Sequence, residues 1–170
     1  MTSVAHPAGR QLASFAVASE PGNERVALAR VAEAVAGCGL TGARLERLKT
    51  AVAEATMNAI EHGNRNQPDI PVDVEVTLDG PDIIVAITDR GGEHAASGTT
   101  EAGPATDPDL ELKLAGQQPP RGWGLFLIRN MVDAMQVSTD GPWHTIQLTM
   151  RTGAGTPVAD LPGGGHEEDL

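Results

Sequence analysis

The chain has few aromatic residues, little cysteine and no long apolar run. Aromatic side chains make up 2% of its 170 residues, so its core has to be built mainly from aliphatic side chains. Cys38 is the only cysteine, which excludes an internal disulfide, and its Ala- and Val-rich surroundings favour a buried, inert thiol. No apolar run approaches the roughly 20 residues that span a bilayer, and the N-terminus lacks a signal-peptide core. We therefore expect one cytoplasmic domain that does not enter a membrane.

Basic residues are also scarce. Twelve Lys and Arg stand against 23 Asp and Glu, for a net charge of −11 and a pI of about 4.7. This charge disfavours direct binding to a nucleic-acid backbone or to an anionic membrane surface. A protein partner is the better expectation.

The hydrophobic pattern predicts strands and helices that cluster along the chain instead of alternating strictly. Such clustering favours an α+β layer architecture with the helices on one face of the sheet. Strands are predicted at residues 10–19, 71–78, 83–88, 136–140 and 144–151, and helices at 23–36, 41–63 and 121–135.

Three segments fall outside this pattern. Residues 1–9 are expected to be a flexible lead-in, and residues 152–170 a disordered acidic tail. The stretch from 93 to 121 is rich in Gly, Pro, Ala and Asp, and a loop of this length inside a compact domain is usually functional or mobile. The domain itself is expected to span residues 10–151.

A polar stripe runs along the second predicted helix. Glu54, Asn58 and His62 are four residues apart and therefore share one face, beside an apolar stripe. Taken singly, each residue has an ordinary alternative role. Glu54 could be an exposed helix Glu and Asn58 a solvated surface Asn. His62 is expected to cap the helix end or to pair with Glu61 in preference to binding a metal.

Two further motifs end a strand and open a helix. Asp89 ends an alternating strand and precedes Gly91 and Gly92, although a turn-capping Asp would fit the same local pattern. Gly122 and Gly124 open the last helix, where free backbone N–H groups bind anions. Together with the polar stripe, and in this order, the motifs predict a nucleotide site with a divalent metal.

The order Glu-x-x-x-Asn, Asp-x-Gly and Gly-x-Gly-Leu resembles that of the GHKL ATP-binding fold, shared by gyrase, MutL and histidine kinases. The short spacing and the run GWGLFLIRNMVDAM are most similar to the anti-sigma-factor serine/threonine protein kinases. The resemblance covers residues 10–151. It implies a two-layer sandwich, in which a mixed, mainly antiparallel sheet is covered on one face by three helices. ATP would lie between the layers under a mobile lid at residues 93–121.

The resemblance implies roles for the residues of the first two motifs. Asn58 would be the Mg²⁺ ligand, a neutral oxygen that does not repel the triphosphate. Glu54 would be the catalytic general base for a serine or threonine of the partner, although in related ATPases this position activates water. Asp89 would accept the adenine amino hydrogen, with Gly91 and Gly92 letting the backbone approach the base.

The resemblance also implies roles for the residues of the third motif, Gly-x-Gly-Leu. Gly122 and Gly124 would hold the phosphates, with Leu125 packing inward, and Arg121 is a candidate phosphate clamp or an exposed loop Arg. Thr145 matches a family threonine that contacts adenine. One departure is visible after Asp89: Glu93-His94-Ala95 follows where many members have a third glycine, so the pocket is expected to differ locally in shape.

The implied function is that of an ATP- and Mg²⁺-dependent kinase that binds a sigma factor and phosphorylates an anti-anti-sigma (STAS-type) partner. The family also suggests a homodimer. The main alternative is a non-catalytic module that sequesters a sigma factor or a similar partner and uses nucleotide as a structural ligand. A gyrase- or MutL-type ATPase is disfavoured because the chain has no transducer domain. A histidine kinase is disfavoured because there is no dimerisation helix pair carrying a phosphoacceptor His.

Overall fold

The computed structural model describes residues 9–94, 100–101 and 121–153, so the expected lead-in, acidic tail and most of the expected lid lie outside the described residues. The strands are β1 (Arg10–Ala18), β2 (Pro71–Asp79), β3 (Asp82–Asp89), β4 (Thr100–Glu101), β5 (Ala134–Asp140) and β6 (Trp143–Arg151). The helices are α1 (Asn23–Ala34), α2 (Gly42–Asn58) and α3 (Arg121–Met131). None of these helices is long and apolar enough to cross a membrane.

The described strands form one sheet in the order β1-β2-β3-β6-β5-β4. Every pairing in it is antiparallel, and the two hairpins, β2–β3 and β5–β6, turn at Gly80 and Gly141. Both glycines have positive φ, which L-residues with a side chain rarely adopt. The predicted α+β sandwich with a mainly antiparallel sheet is confirmed.

The two faces of the sheet differ because successive side chains of a strand point to opposite sides. On the face that carries the helices, the strand residues are buried and aliphatic, and the helices add their own apolar stripes to the same core. This core contains Val72, Val74, Val76, Ile83, Val85, Ile87, Ile146, Leu148 and Met150 from the central strands, with Val31, Leu48, Val52 and Ile128 from the helices. The other face carries Thr88, Thr145 and Gln147 among its residues.

The second helix does not continue to Gly63 in one geometry. After Asn58 it widens into a π-helical turn, Ala59–Gly63, which ends where the backbone N–H of Asn64 donates to the Ala59 carbonyl at 2.8 Å. Single π-helical turns inside or at the end of α-helices are frequent at functional sites. Here the turn brings the Gly63 backbone to the end of β3.

The last helix ends at Met131, earlier than the hydrophobic pattern of residues 121–135 predicts. The backbone N–H of Asp133 already donates to the Thr149 carbonyl of β6 at 3.0 Å, so the chain has entered the sheet. The Asp133 carboxylate also accepts a hydrogen bond from the Arg44 guanidinium at 2.6 Å. This tertiary pairing overrides the helical pattern at the last residues.

Asn64 connects the helical layer to the ends of three strands, β1, β2 and β3. Its side-chain oxygen accepts from the backbone N–H of Arg90 at 2.8 Å, and its amide nitrogen donates to the Ser19 hydroxyl at 3.0 Å. The same nitrogen lies 3.3 Å from the Ile70 carbonyl and 3.2 Å from the Pro71 carbonyl. With only 2% of its surface exposed, the side chain satisfies polar groups that water does not reach.

We predict that Asn64→Ala lowers the free energy of unfolding by about 2–4 kcal/mol, because it leaves several buried backbone groups without partners. Urea denaturation of the variant and the wild type measures the difference. Gln67→Ala, an exposed change three residues away, is the control and is expected to stay within about 0.5 kcal/mol of the wild type. Equal stability of Asn64→Ala and the control would contradict the connecting role.

Candidate functional site

A cleft of about 240 Å³ opens between the helices and the sheet, at the end of β3. Its walls come from the end of α2, the following π-helical turn, the start of α3 and strands β3, β5 and β6. It is lined by Asn58, Ala59, His62, Gly63, Asp89, Gly91, Leu125, Val137, His144 and Ile146. The three sequence motifs therefore meet at one cavity.

Asp89 closes one end of this cleft. Its side chain is only 4% exposed, and one carboxylate oxygen accepts from the Gly91 backbone N–H at 2.7 Å. Gly63 packs directly on the carboxyl group, and a Cβ at Gly63 would overlap it. A Cβ at Gly91 would in turn lie 2.8 Å from the Gly63 Cα. Glycine is needed at both positions because the backbones approach each other so closely.

Glu54 and Asn58 meet α3 at the other end. A Cβ at Gly124 would lie 2.8 Å from the Asn58 side-chain nitrogen and 2.9 Å from the Glu54 carboxylate oxygen Oε1. The absence of a side chain at Gly124 thus allows a carboxylate and an amide of α2 to lie against the first turn of α3. Asn58 lines the cleft, and Glu54 lies half-buried beside it, one helical turn earlier.

For residues 121–123, at the start of α3, the structure describes the helical backbone but not the side chains. Arg121 and Gly122 are the first two helical residues, and the predicted side-chain role of Arg121 lies outside what the structure describes. Leu125 lines the cleft with 36% of its surface exposed, so it faces the cavity and does not enter the closed core. Ile128, three residues later, is fully buried.

Gly92 and Thr145, two residues of the predicted site, make contacts away from the cleft. Gly92 packs against the β5–β6 turn, where its backbone N–H donates to the Pro142 carbonyl at 3.0 Å. Thr145 lies on the sheet face opposite the helices, and its hydroxyl hydrogen-bonds the Thr88 hydroxyl at 2.9 Å. The resemblance matched Thr145 by residue type, but alternation along β6 directs its neighbour, His144, to the cleft.

His144 is the functional candidate that the sequence interpretation missed. Its ring nitrogen Nδ1 lies 3.1 Å from the second carboxylate oxygen of Asp89, and the two residues are register partners on β6 and β3. The signal was present in the sequence: Ile146, Leu148 and Met150 are the apolar alternating residues of this strand, and counting back by two from Ile146 reaches His144.

Arg90 directly follows Asp89 at the end of β3. Its guanidinium lies 4.9 Å from the ring centre of Trp143, which belongs to the start of β6. Burial raises the pKa of the Asp73 carboxyl, and the Arg90 charge partly opposes this rise. Arg90 thus compensates an acidic group on the open sheet face, while its backbone joins Asn64 to the end of β3.

We predict that Gly63→Ala lowers the free energy of unfolding by about 1–3 kcal/mol, because the new methyl group overlaps the Asp89 carboxyl group. Gly153→Ala is the matched control, since its Cβ would meet its nearest neighbour at an ordinary 3.7 Å. Chemical denaturation of both variants checks the difference. If the two glycines tolerate alanine equally, Gly63 does not pack on Asp89 in the way described.

Comparison with known proteins identifies the family of the chain. The family model of the histidine kinase-like ATPase domain matches residues 17–151. The Anti-sigma F factor of Oceanobacillus iheyensis is 32% identical over 125 residues, which are 73% of this chain and 80% of that protein. The Anti-sigma F factor of Clostridium beijerinckii is 30% identical over 128 residues, covering 75% of this chain and 84% of that protein.

A solved structure shows the same fold. The RsbU and RsbW domains of a Mycobacterium tuberculosis protein match with a TM-score of 0.57 at 18% identity, over 82% of this chain. The present chain spans only 31% of that longer protein, and at this identity the likeness concerns the fold alone. On the family match and the sequence relatives, the chain belongs to the family of histidine kinase-like ATPase domains, in the group that contains the anti-sigma F factors.

Proposed function

We propose that the chain is a cytoplasmic, ATP-dependent serine/threonine protein kinase of the anti-sigma-factor type. It would bind a sigma factor and phosphorylate an anti-anti-sigma (STAS-type) protein. The observation that carries the proposal is the meeting of Glu54 and Asn58 with Gly124, beside a cleft whose far end is closed by Asp89. Such an arrangement offers separate groups for the nucleobase, for the phosphates and for the reacting hydroxyl.

The end of the cleft at Asp89 suits a nucleobase that carries an amino group. An ionised carboxylate has about four acceptor positions, and the hydrogen bond from the Gly91 N–H uses one of them. Gly63 and Gly91 line the cleft beside this carboxylate, so a bound ring would lie against their backbone. Val137 and Ile146 supply an apolar wall of the kind that ligand pockets commonly have.

The end at Asn58 suits a magnesium ion and phosphates. Mg²⁺ prefers hard oxygen ligands and usually takes one or two from the protein, with the rest from phosphates and water. The Asn58 amide oxygen is such a ligand, and the start of α3 at Gly122 and Gly124 offers backbone N–H groups to an anion. When bound, Mg²⁺ and ATP supply the transferable phosphoryl group and the cation that neutralises its charge.

Glu54 is the proposed general base. Its carboxylate lies beside Asn58 and would accept the proton of a serine or threonine hydroxyl presented by the partner. Phosphoryl transfer needs positioning and charge neutralisation more than covalent participation by the protein. The bound cation and the backbone N–H groups at the start of α3 would neutralise the charge, whereas Glu54 would only accept the proton. The assignment of a sigma factor as a partner is supported by the relatives, which are anti-sigma F factors.

The alternative is a module that sequesters a sigma factor without catalysis. It would use the same cleft, because a structural nucleotide needs the Asp89 and Asn58 ends but not a proton acceptor. Glu54 is the residue that separates the two proposals.

We predict that Glu54→Gln lowers phosphoryl transfer to a STAS-type protein by about 10²- to 10⁴-fold, the range attributed to a general base. The measurement follows transfer of labelled γ-phosphate from ATP to a panel of purified STAS-type proteins. Retention of a sigma factor that the wild type binds is scored in parallel and should be unchanged. Glu46→Gln is the control: Glu46 is an exposed residue of the same helix that pairs with Lys49 at 3.3 Å.

Transfer by the wild type that survives in Glu54→Gln would remove the general-base role. Absence of transfer by the wild type, with the sigma factor still retained, would favour the sequestering module.

A further inference from the structure

His144 and Asp89 form a contact inside the cleft that none of the sequence motifs includes. The Nδ1 atom of His144 lies 3.1 Å from the Asp89 oxygen Oδ2, and the side chains are 22% and 4% exposed. Both residues line the cavity and stand opposite each other in the β3–β6 register. The sheet geometry itself therefore holds the imidazole beside the carboxylate.

The contact completes the support of the carboxylate. The other oxygen, Oδ1, accepts from the Gly91 N–H at 2.7 Å, and Gly63 packs on the carboxyl group. An ionised carboxylate can only accept hydrogen bonds, so the hydrogen between Oδ2 and the imidazole belongs to Nδ1 of His144. Each oxygen thus has one donor from the protein and keeps further acceptor capacity for a ligand.

Two donors restrain the carboxylate where one would not. The torsion that turns an Asp carboxyl group has a broad energy profile, so the Gly91 N–H alone leaves the angle of Oδ2 poorly defined. The imidazole N–H fixes that angle from the β6 side. A ligand amino group then meets an acceptor that is already oriented, and little reorganisation opposes binding.

We infer that His144 is a positioning residue for base recognition: by holding Asp89, it lets the cleft distinguish purines that carry a 6-amino group from those that lack it. The inference rests on the proposed function, in which Asp89 accepts the adenine amino hydrogen. It adds a residue that acts through Asp89. Without the His144 donor, the Asp89 carboxylate can rotate away from the ligand, or it can accept a hydrogen bond from a water molecule in place of the purine amino group.

The test compares two nucleotides and three variants by calorimetric titration. The nucleotides are ATP and purine riboside triphosphate, which lacks only the 6-amino group. His144→Leu removes the donor, whereas His144→Asn keeps an N–H close to the Nδ1 position. Gln147→Leu is the control, because Gln147 lies on the same strand but on the opposite face of the sheet.

The experiment compares the dissociation constant of purine riboside triphosphate, divided by that of ATP, between the proteins. We expect the wild type to bind ATP about tenfold more tightly than purine riboside triphosphate, as the loss of one hydrogen bond to a charged group predicts. In His144→Leu the ratio should fall to within about threefold of unity. His144→Asn and Gln147→Leu should keep the wild-type ratio.

The ratio separates positioning from general damage to the fold. If His144→Leu weakens both nucleotides equally and leaves the ratio unchanged, its role is structural and the inference is overturned. A wild-type ratio of unity, with ATP still bound, overturns it as well. If the wild type binds neither nucleotide at millimolar concentration, the proposed function fails together with the inference.

Discussion

The packing of Gly63 against the Asp89 carboxyl group sets the geometry of the whole cleft. Gly63 ends the π-helical turn that continues α2, and Asp89 ends β3, so this contact joins the end of that helical segment to the end of the strand. Asn58 and Glu54 belong to the same continuous helical segment. Their distance from Asp89 is therefore governed by a stiff backbone and not by loops. Asn64, the next residue along, adds hydrogen bonds to Arg90 at the end of β3 and to Pro71 of β2.

Glycine has a distinct task at each end of the cleft. At Gly63 and Gly91 it allows two backbones to close around a carboxylate, and at Gly124 it allows two polar side chains of α2 to touch α3. A side chain at any of these positions would come too close to neighbouring protein atoms of the site. All three glycines are thus positions of close approach.

Much of this arrangement could be predicted from the sequence. Alternation in β2 and β3, the 3-4 spacing of α2 and the order of the motifs were enough for the fold and for Asn58, Asp89, Gly91 and Leu125 as cleft residues. The errors have physical causes. The end of α3 depends on the hydrogen bonds of Asp133 with other elements, which no local pattern contains.

The assignment of an adenine contact to Thr145 differs from the structure for another reason. A shift of one residue along a strand moves a side chain to the opposite face, so matching a threonine by type selected the wrong side of β6. His144 lines the cleft instead and contacts Asp89. The contacts of Gly63 and Asn64 were missed because they depend on the π-helical turn, which differs from an α-helix only in its hydrogen-bond spacing.

The central claim is that the Asn58 end of the cleft binds a metal-bound triphosphate. Calorimetric titration of ATP into the wild type and Asn58→Ala, with Mg²⁺ and with a chelator, tests it most directly. We expect Mg²⁺ to tighten ATP binding by about tenfold or more in the wild type, and Asn58→Ala to lose this dependence. Binding without metal should change little, because the Asp89 end is intact. No binding by the wild type at millimolar ATP, or full Mg²⁺ dependence in Asn58→Ala, would contradict the claim.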